Sequence, residues 1–185
     1  MSFKRLSLAM LVAVASQAAL AAPATGLIQF KGRAQHNTCT VSVGGVESSN
    51  TATVILSEAF TRKLAKQGDS DGQTAFTIDL KNCFSSISSA DVFFRAAPGT
   101  TVTNGRLDNM AADSPARNVQ LQISDEYDRP VDVGDPGIQP PSLWYGDVQV
   151  QDRVGKKAYS VSYYAAGPVT RGNVEAAVEY VIQYF

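Results

Sequence analysis

The residue types that could carry out chemistry are few and scattered. His36 is the only histidine, and it lies close to Cys39, one of two cysteines in the chain. The serines are spread over turn-like stretches, and neither a nucleophile motif nor a cluster of metal ligands accompanies them. Residues 69–72, Asp-Ser-Asp-Gly, are similar to the start of a calcium loop but lack the later acidic ligand that such a loop needs. We therefore predict a plain turn there, in a protein that is not an enzyme and holds no cofactor or metal.

The first residues predict export. Lys4 and Arg5 precede an uncharged apolar run over residues 6–15, and small residues follow as far as Ala21. This is the order of a secretory signal peptide, and the run is shorter than the roughly 20 residues of a membrane span. We expect cleavage after Ala21, because a cut one residue later would place Pro23 beside the scissile bond. Losing two positive charges and no negative one changes the formal net charge from −1 to −3, which disfavours nucleic acid as a partner.

In an exported chain, the two cysteines predict one disulfide between Cys39 and Cys83. The competing interpretation is two free or metal-binding thiols. It is disfavoured because the chain has no further cysteine and only one histidine to complete a metal site.

Alternation of apolar and polar residues predicts β-strands through most of the remaining chain. The apolar rows are Phe76/Ile78/Leu80, Ala90/Val92/Phe94, Val119/Leu121/Ile123, Val161/Tyr163 and Ala176/Val178/Tyr180/Ile182/Tyr184, with a short β-branched run at Thr53–Leu56. Turn signals separate the rows, among them Gly44-Gly45, Asp71-Gly72, Pro98-Gly99 and Asn104-Gly105. Many short strands punctuated in this way indicate one all-β domain built as an antiparallel sandwich or barrel.

Two stretches fit this pattern less well. Residues 57–67 contain Leu64, Ala65 and three basic residues, and could form a helical turn or a long loop. Residues 136–152 contain a Pro-Pro pair and an isolated Trp144-Tyr145, which predict a surface excursion with an aromatic anchor.

The segment before Cys39 alternates again: Ile28, Phe30, Gly32 and Ala34 face one way. Such a strand could pair with its own sheet, or it could complete the sheet of another chain by β-strand addition. Gly32 weakens a strand by itself and so indicates a close backbone approach. At the other end an alternating strand runs to Phe185, which implies that its neighbours hold it in place, because chain ends otherwise fray.

These residues, in this order, resemble the major-type subunits of chaperone–usher fimbriae, the pilins of type 1 and P pili. The resemblance covers nearly all of residues 22–185. Its motifs are Gly26–Gly32 followed by a cysteine, Val54–Leu56 followed by Gly68, Phe76-x-Ile78-x-Leu80-x-x-Cys83, Asn118-Val119-x-Leu121-x-Ile123-x-Asp125, Tyr163–Gly167 and the penultimate Tyr184. The excursion at residues 136–152 and the terminal Phe185 depart from the family pattern.

The resemblance implies an incomplete immunoglobulin-like β-sandwich that is completed by a donor strand from another chain. Residues 1–21 would be the signal peptide, 22–34 the donor-strand extension and 35–185 the pilin domain. Ile28, Phe30, Gly32 and Ala34 would face the acceptor groove of a neighbour. The terminal strand would line the subunit's own groove, through Val178, Tyr180, Ile182, Tyr184 and Phe185.

The implied function is that of a structural subunit of a surface fimbrium that supports cell adhesion. Its partners would be neighbouring pilin subunits, a periplasmic chaperone that grips the Phe185 carboxylate, and an outer-membrane usher. The alternative is a minor adaptor or a tip-associated adhesive pilin that binds a surface ligand. Tip adhesins of this system resemble two-domain proteins, whereas one domain is expected here, and a donor extension has no recipient at a tip.

Overall fold

The computed structural model describes part of the chain, in the following ranges: residues 39–47, 51–84, 87, 89–140, 144–145 and 155–185. The chain divides into two units, Met1–Ala34 and Gln35–Phe185, and the description below concerns the second. The predicted signal peptide and the predicted donor residues Ile28, Phe30, Gly32 and Ala34 lie outside the described residues.

The described residues form an all-β structure with two short 3-10 helices, Thr61–Lys63 and Pro136–Ile138. The strands are β1 Thr40–Val43, β2 Val46–Glu47, β3 Ser70–Lys81, β4 Ser89–Ala96, β5 Val102–Thr103, β6 Arg106–Asp108, β7 Val119–Asp125, β8 Trp144–Tyr145, β9 Gly155–Ala165 and β10 Val178–Tyr184. Within the described ranges, no helix has the length and apolar character needed to cross a membrane.

The strands form two sheets of unequal size, and every strand pair is antiparallel. The larger sheet has the order β2-β1-β3-β9-β7-β6-β5, and the smaller one has the order β10-β4-β8. Two of the predicted glycine turns close hairpins: Gly44-Gly45 joins β1 to β2, and Asn104-Gly105 joins β5 to β6, with positive φ at all four residues. Only glycine and asparagine adopt that backbone conformation readily.

The apolar rows of both sheets meet in one core. Ile78 and Leu80 come from the larger sheet and Val92 and Phe94 from the smaller, and all four are at most 2% exposed. The rings of Phe94 and Tyr159 join the sheets in an edge-to-face contact with 4.9 Å between centroids, a favoured geometry for aromatic pairs. The structure is therefore a sandwich of the immunoglobulin-like type, as the sequence predicted.

The disulfide prediction is confirmed. Cys39 precedes β1, Cys83 follows β3, and their sulfurs are bonded across a sequence separation of 44. Because β1 pairs with β3 along its whole length, the bridge fastens the ends of two neighbouring strands.

The predicted turn at Asp71-Gly72 is wrong. Both residues belong to β3. Asp71 still pairs with Tyr163, and the next register pair is Thr74↔Val161, so Gly72 and Gln73 form a β-bulge directly after Asp71. Gly72 has φ of +67°, and a Cβ there would lie 2.8 Å from the Tyr163 ring. Glycine tolerates the positive φ and the close approach that both β-bulges and tight turns require. The same sequence signal therefore fits either structure.

Residues 57–67 contain the helical turn at Thr61–Lys63. Of residues 136–152, only 136–140 and 144–145 are described, and they contain the helix Pro136–Ile138 and strand β8. The predicted aromatic anchor lies outside the described side chains. The β-branched run Thr53–Leu56 was expected to be a strand, but no sheet partner pairs with it among the described residues.

The bridge yields the first prediction. Cys39→Ser or Cys83→Ser should sharply lower the amount of chain recovered after export, because opening a loop of this length costs about 4 kcal/mol in the chain-entropy model. Immunoblots of the exported fraction give the amount. Mass spectrometry of the wild-type protein with thiol alkylation provides the control, and one alkylated thiol per cysteine in the exported chain would disprove the bridge.

Candidate functional site

Among the described strands, β10 is an outermost strand with one neighbour. It pairs with β4 from Val178↔Ala96 to Tyr184↔Ala90, and Phe185 exchanges two backbone hydrogen bonds with Ser89, of 2.9 and 3.2 Å. In an antiparallel pair, bonded and non-bonded positions alternate. It follows that the backbone groups of Glu179, Val181 and Gln183 turn toward β4.

The remaining residues of β10 turn their backbone N–H and C=O groups the other way. These are Val178, Tyr180, Ile182 and Tyr184. Within the part of the chain that the structure describes, no backbone hydrogen bond reaches these groups from that side. The edge of the smaller sheet is therefore open along the whole of β10.

The side chains of the same four residues lie on the core but cover it incompletely. The cross-strand neighbours of Tyr180, Ile182 and Tyr184 on β4 are Phe94, Val92 and Ala90, each 2% exposed, whereas the four β10 side chains are only half-buried. Partial burial raises the pKa of the Tyr184 phenol, although its oxygen accepts a hydrogen bond from the Cys39 N–H at 3.4 Å. An apolar row thus lies beneath the open edge.

A second apolar row packs on the same core. Ala52, Val54 and Leu56 are half-buried, while the residues between them point outward, and Ile55 is 81% exposed. This is the alternation of a strand, yet the described residues offer residues 51–56 no backbone hydrogen bond. The segment thus has the side-chain alternation of a strand, and its backbone has no sheet partner among the described residues.

Side chains beside the β3 bulge hold the far end of this second row. The Thr74 hydroxyl accepts from the Ser57 N–H at 2.8 Å, and the Asp71 carboxylate accepts from the Phe60 N–H at 3.0 Å and from Lys63 Nζ at 2.9 Å. The Phe60 hydrogen bond, followed by that of Lys63, holds the pKa of Asp71 below its ordinary value. The bulge therefore positions residues 51–56 without any strand pairing.

The opposite edge of the smaller sheet is covered. Strand β8 pairs with β4 at Ser89 and Ala90. Further along, the buried Gln139 amide accepts from the Phe94 N–H at 2.8 Å and donates to the Phe94 and Asp132 carbonyls. A side-chain amide here takes the place of a neighbouring strand. Among the described residues, β4 is therefore covered on its β8 side, whereas β10 has no partner on its outer side.

This arrangement can bind an extended peptide. Unpaired strand edges are templates for β-strand addition, in which main-chain hydrogen bonds supply affinity and alternate side chains fill the groove. The candidate site is a strand-acceptor groove, lined by β10 and by residues 51–56. Among the described residues, no group of three or more His, Cys, Asp or Glu side chains could hold a metal ion.

The structure brings four predicted groove residues, Val178, Tyr180, Ile182 and Tyr184, into one row. Phe185 follows them, its backbone pairs with Ser89, and the residue is 54% exposed. Sequence reasoning missed the second row, which the alternation of Ala52, Val54 and Leu56 could have revealed. It also missed Gln139, for which a single glutamine in a loop gives no signal.

A β-sandwich with one open edge over a half-covered core is the class that this fold and site define. The family model described as "Fimbrial protein" matches residues 28–184, and the chain belongs to this family. The assignment to fimbrial subunits made from the sequence is therefore confirmed.

Individual relatives agree with this assignment. The chain is similar to the major fimbrial subunit SMF-1 of Stenotrophomonas maltophilia (strain K279a), with 35% identity over 87% of this chain and 93% of the relative. It is also similar to the F17 fimbrial protein of Escherichia coli, with 32% identity over 96% of both. Among solved structures, the P pilus rod subunit PapA has a TM-score of 0.54 at 14% identity, covering 79% of this chain and 99% of that one. At such low identity the last match shows the fold alone.

Proposed function

We propose that the chain is a structural fimbrial subunit that polymerises by placing its N-terminal segment, residues 22–34, into the acceptor groove of the next subunit. The single observation that supports this most is the unpaired β10 edge above a half-buried apolar row. The matched relatives are named as a major fimbrial subunit and a fimbrial protein. These names favour a structural role over catalysis.

The residues of the proposed donor suit this groove. Ile28 and Phe30 are large and apolar, and burying each contributes about 1.5–3 kcal/mol. Each backbone hydrogen bond formed along the β10 edge adds roughly 1 kcal/mol. Gly32 suits a shallow place where the two backbones approach closely.

The geometry of donation favours a filament. Donor and acceptor are different parts of the chain, so each subunit uses one surface to bind forward and another to bind backward. A contact of this head-to-tail kind forms an open fibre unless its rotation closes a ring.

An unfilled groove needs protection before assembly. Apolar side chains beside an open edge promote aggregation. We infer that a periplasmic chaperone first supplies a strand and grips the Phe185 carboxylate, and that an outer-membrane usher then catalyses the exchange. The domain division follows from this scheme, with residues 1–21 removed on export, 22–34 as donor and 35–185 as acceptor domain.

The second prediction tests the incomplete sandwich. A copy of residues 26–34, fused behind Phe185 through a short flexible linker, should convert an aggregating chain into a soluble monomer. The supplied strand is then intramolecular, with an effective concentration near millimolar. Size-exclusion chromatography and urea unfolding measure the outcome.

The matched control for this fusion carries Ile28→Asp and Phe30→Asp in the added copy only, and it should remain aggregated. The proposal fails if the unfused chain, without chaperone, is monomeric and unfolds cooperatively.

The third prediction tests the donor segment. Gly32→Leu should leave the chaperone complex at its normal yield, because the donor segment is unpaired there. Polymer should be lost, since overpacking a close-packed groove typically costs about 1–3 kcal/mol. Gln29→Leu, at an outward position, is the control and should polymerise. Parallel loss of complex and polymer, or loss of neither, would contradict donation.

The fourth prediction concerns the place of the subunit in the fibre. Immunogold electron microscopy of cells carrying the whole assembly system should show label along the shaft of a surface fimbrium. A strain lacking this chain is the control and should show no shaft. Label confined to fibre ends would instead indicate the minor adaptor or tip-associated adhesive pilin.

A further inference from the structure

The segment that leads into β10 continues the open edge. Val174 and Ala176 are half-buried and pack on the core, while Asn173 and Glu175 are exposed, so the side-chain alternation of β10 begins four residues before the strand itself. No described strand of the smaller sheet pairs with these residues, so other contacts must hold them extended.

One side chain, that of Asn109, fastens this segment to a neighbouring loop. Its Oδ1 accepts from the N–H groups of Glu175 at 2.9 Å and Ala111 at 3.1 Å. Its Nδ2 donates to the carbonyls of Asn173 at 2.9 Å and Ala116 at 2.8 Å. All four hydrogen-bonding positions of the amide are thus used.

Backbone contacts reinforce the Asn109 contacts. The Met110 N–H donates to the Glu175 carbonyl at 2.7 Å. Nearby, Gly172 passes so close to the loop that a Cβ on it would lie 2.4 Å from the Ala116 nitrogen. The approach therefore requires glycine at this position, and the loop takes over the place that β4 occupies further along.

The direction of these bonds decides what the segment presents to the open edge. Both backbone groups of Glu175 turn toward Asn109 and Met110, as those of Glu179 turn toward β4. By alternation, the backbone groups of Val174 and Ala176 turn toward the open edge. No backbone hydrogen bond reaches them from any described residue.

We propose that Asn109 is a positioning residue that lengthens the acceptor groove, so that the incoming strand meets six alternating positions from Val174 to Tyr184. This inference rests on the proposed function, and its occupant is the N-terminal segment of a second copy of the chain. Residues 28–34 offer only four alternating positions, Ile28, Phe30, Gly32 and Ala34. The paired donor therefore extends beyond them, to Ala24 on one side or to Thr38 on the other.

This inference is tested by combining donors of different length with substitutions at Asn109. Fusions behind Phe185 carry either residues 28–34 or one of two longer donors, residues 24–34 or 28–38. Each is made with Asn109, with Asn109→Ala and with Asn109→Asp, which keeps the acceptor for Glu175 and loses the donor. The urea midpoint of each form is measured.

With Asn109 in place, at least one longer donor should raise the midpoint above that of the short donor. Asn109→Ala should abolish this gain, and Asn109→Asp should reduce it. If Asn109 had only a structural role, its substitution would lower the urea midpoint of all fusions by the same amount, because independent effects add. Asn118→Ala is the control for that behaviour. The Asn118 amide donates to the Pro168 carbonyl at 2.9 Å, next to the larger sheet. This substitution should lower the urea midpoint of all fusions by the same amount.

Two results would overturn the inference: no gain from either longer donor, or an equal gain with and without Asn109. If Asn109→Ala prevents folding in every fusion, Asn109→Asp provides the test instead. A longer donor that raises the urea midpoint of Asn109→Asp as much as that of the wild type would then contradict the proposal. Failure of the proposed function itself would look different, since even residues 28–34 would then fail to produce a folded monomer.

Discussion

Among the described residues, the smaller sheet of the sandwich has too few strands to cover the core beneath it, and the other features of the structure follow from this deficit. In that part of the chain, seven strands form one sheet and three form the other. Burial of apolar surface stabilises a fold in proportion to the area removed from water. The rows of β10 and residues 51–56 are only half-buried, so covering them further would add stability. Both rows already have the alternation of paired strands, and no described residue pairs with the facing backbone of either row. A strand placed there would satisfy the hydrogen bonds and the apolar surface together.

The two sides of the smaller sheet differ in how they are covered. An uncovered strand edge can pair with any exposed strand of another chain. Here the β4 side is occupied by β8 and by the Gln139 amide, whereas the β10 side has only its apolar row. The asymmetry gives incoming strands a single place to pair. It also agrees with a fibre in which each subunit accepts one neighbour and donates to one other.

The groove is built by contacts between distant parts of the chain. Asp71, directly before the β3 bulge, holds the end of the second row through Phe60 and Lys63, and Asn109 holds the segment before β10 across 66 positions of sequence. Neither contact uses strand pairing. Side-chain hydrogen bonds hold these two segments at places where no described strand pairs with them. The residues that line the groove are therefore already positioned.

The sequence by itself determined the fold class, the bridge between Cys39 and Cys83, the family and the apolar row of β10. Those features follow from local regularities: a period of two places alternate side chains on one face, and two cysteines have only one way to pair within a chain. The tertiary structure decided the rest. It showed that residues 51–56 have no strand partner among the described residues despite a strand-like sequence, and that Asp71-Gly72 leads into a β-bulge inside β3 and is not a turn. It also showed that the amides of Gln139 and Asn109 bond backbone groups that no described strand pairs with. Strand pairing and side-chain hydrogen bonds join residues far apart in the chain, and such contacts leave no periodic pattern from which they could be predicted.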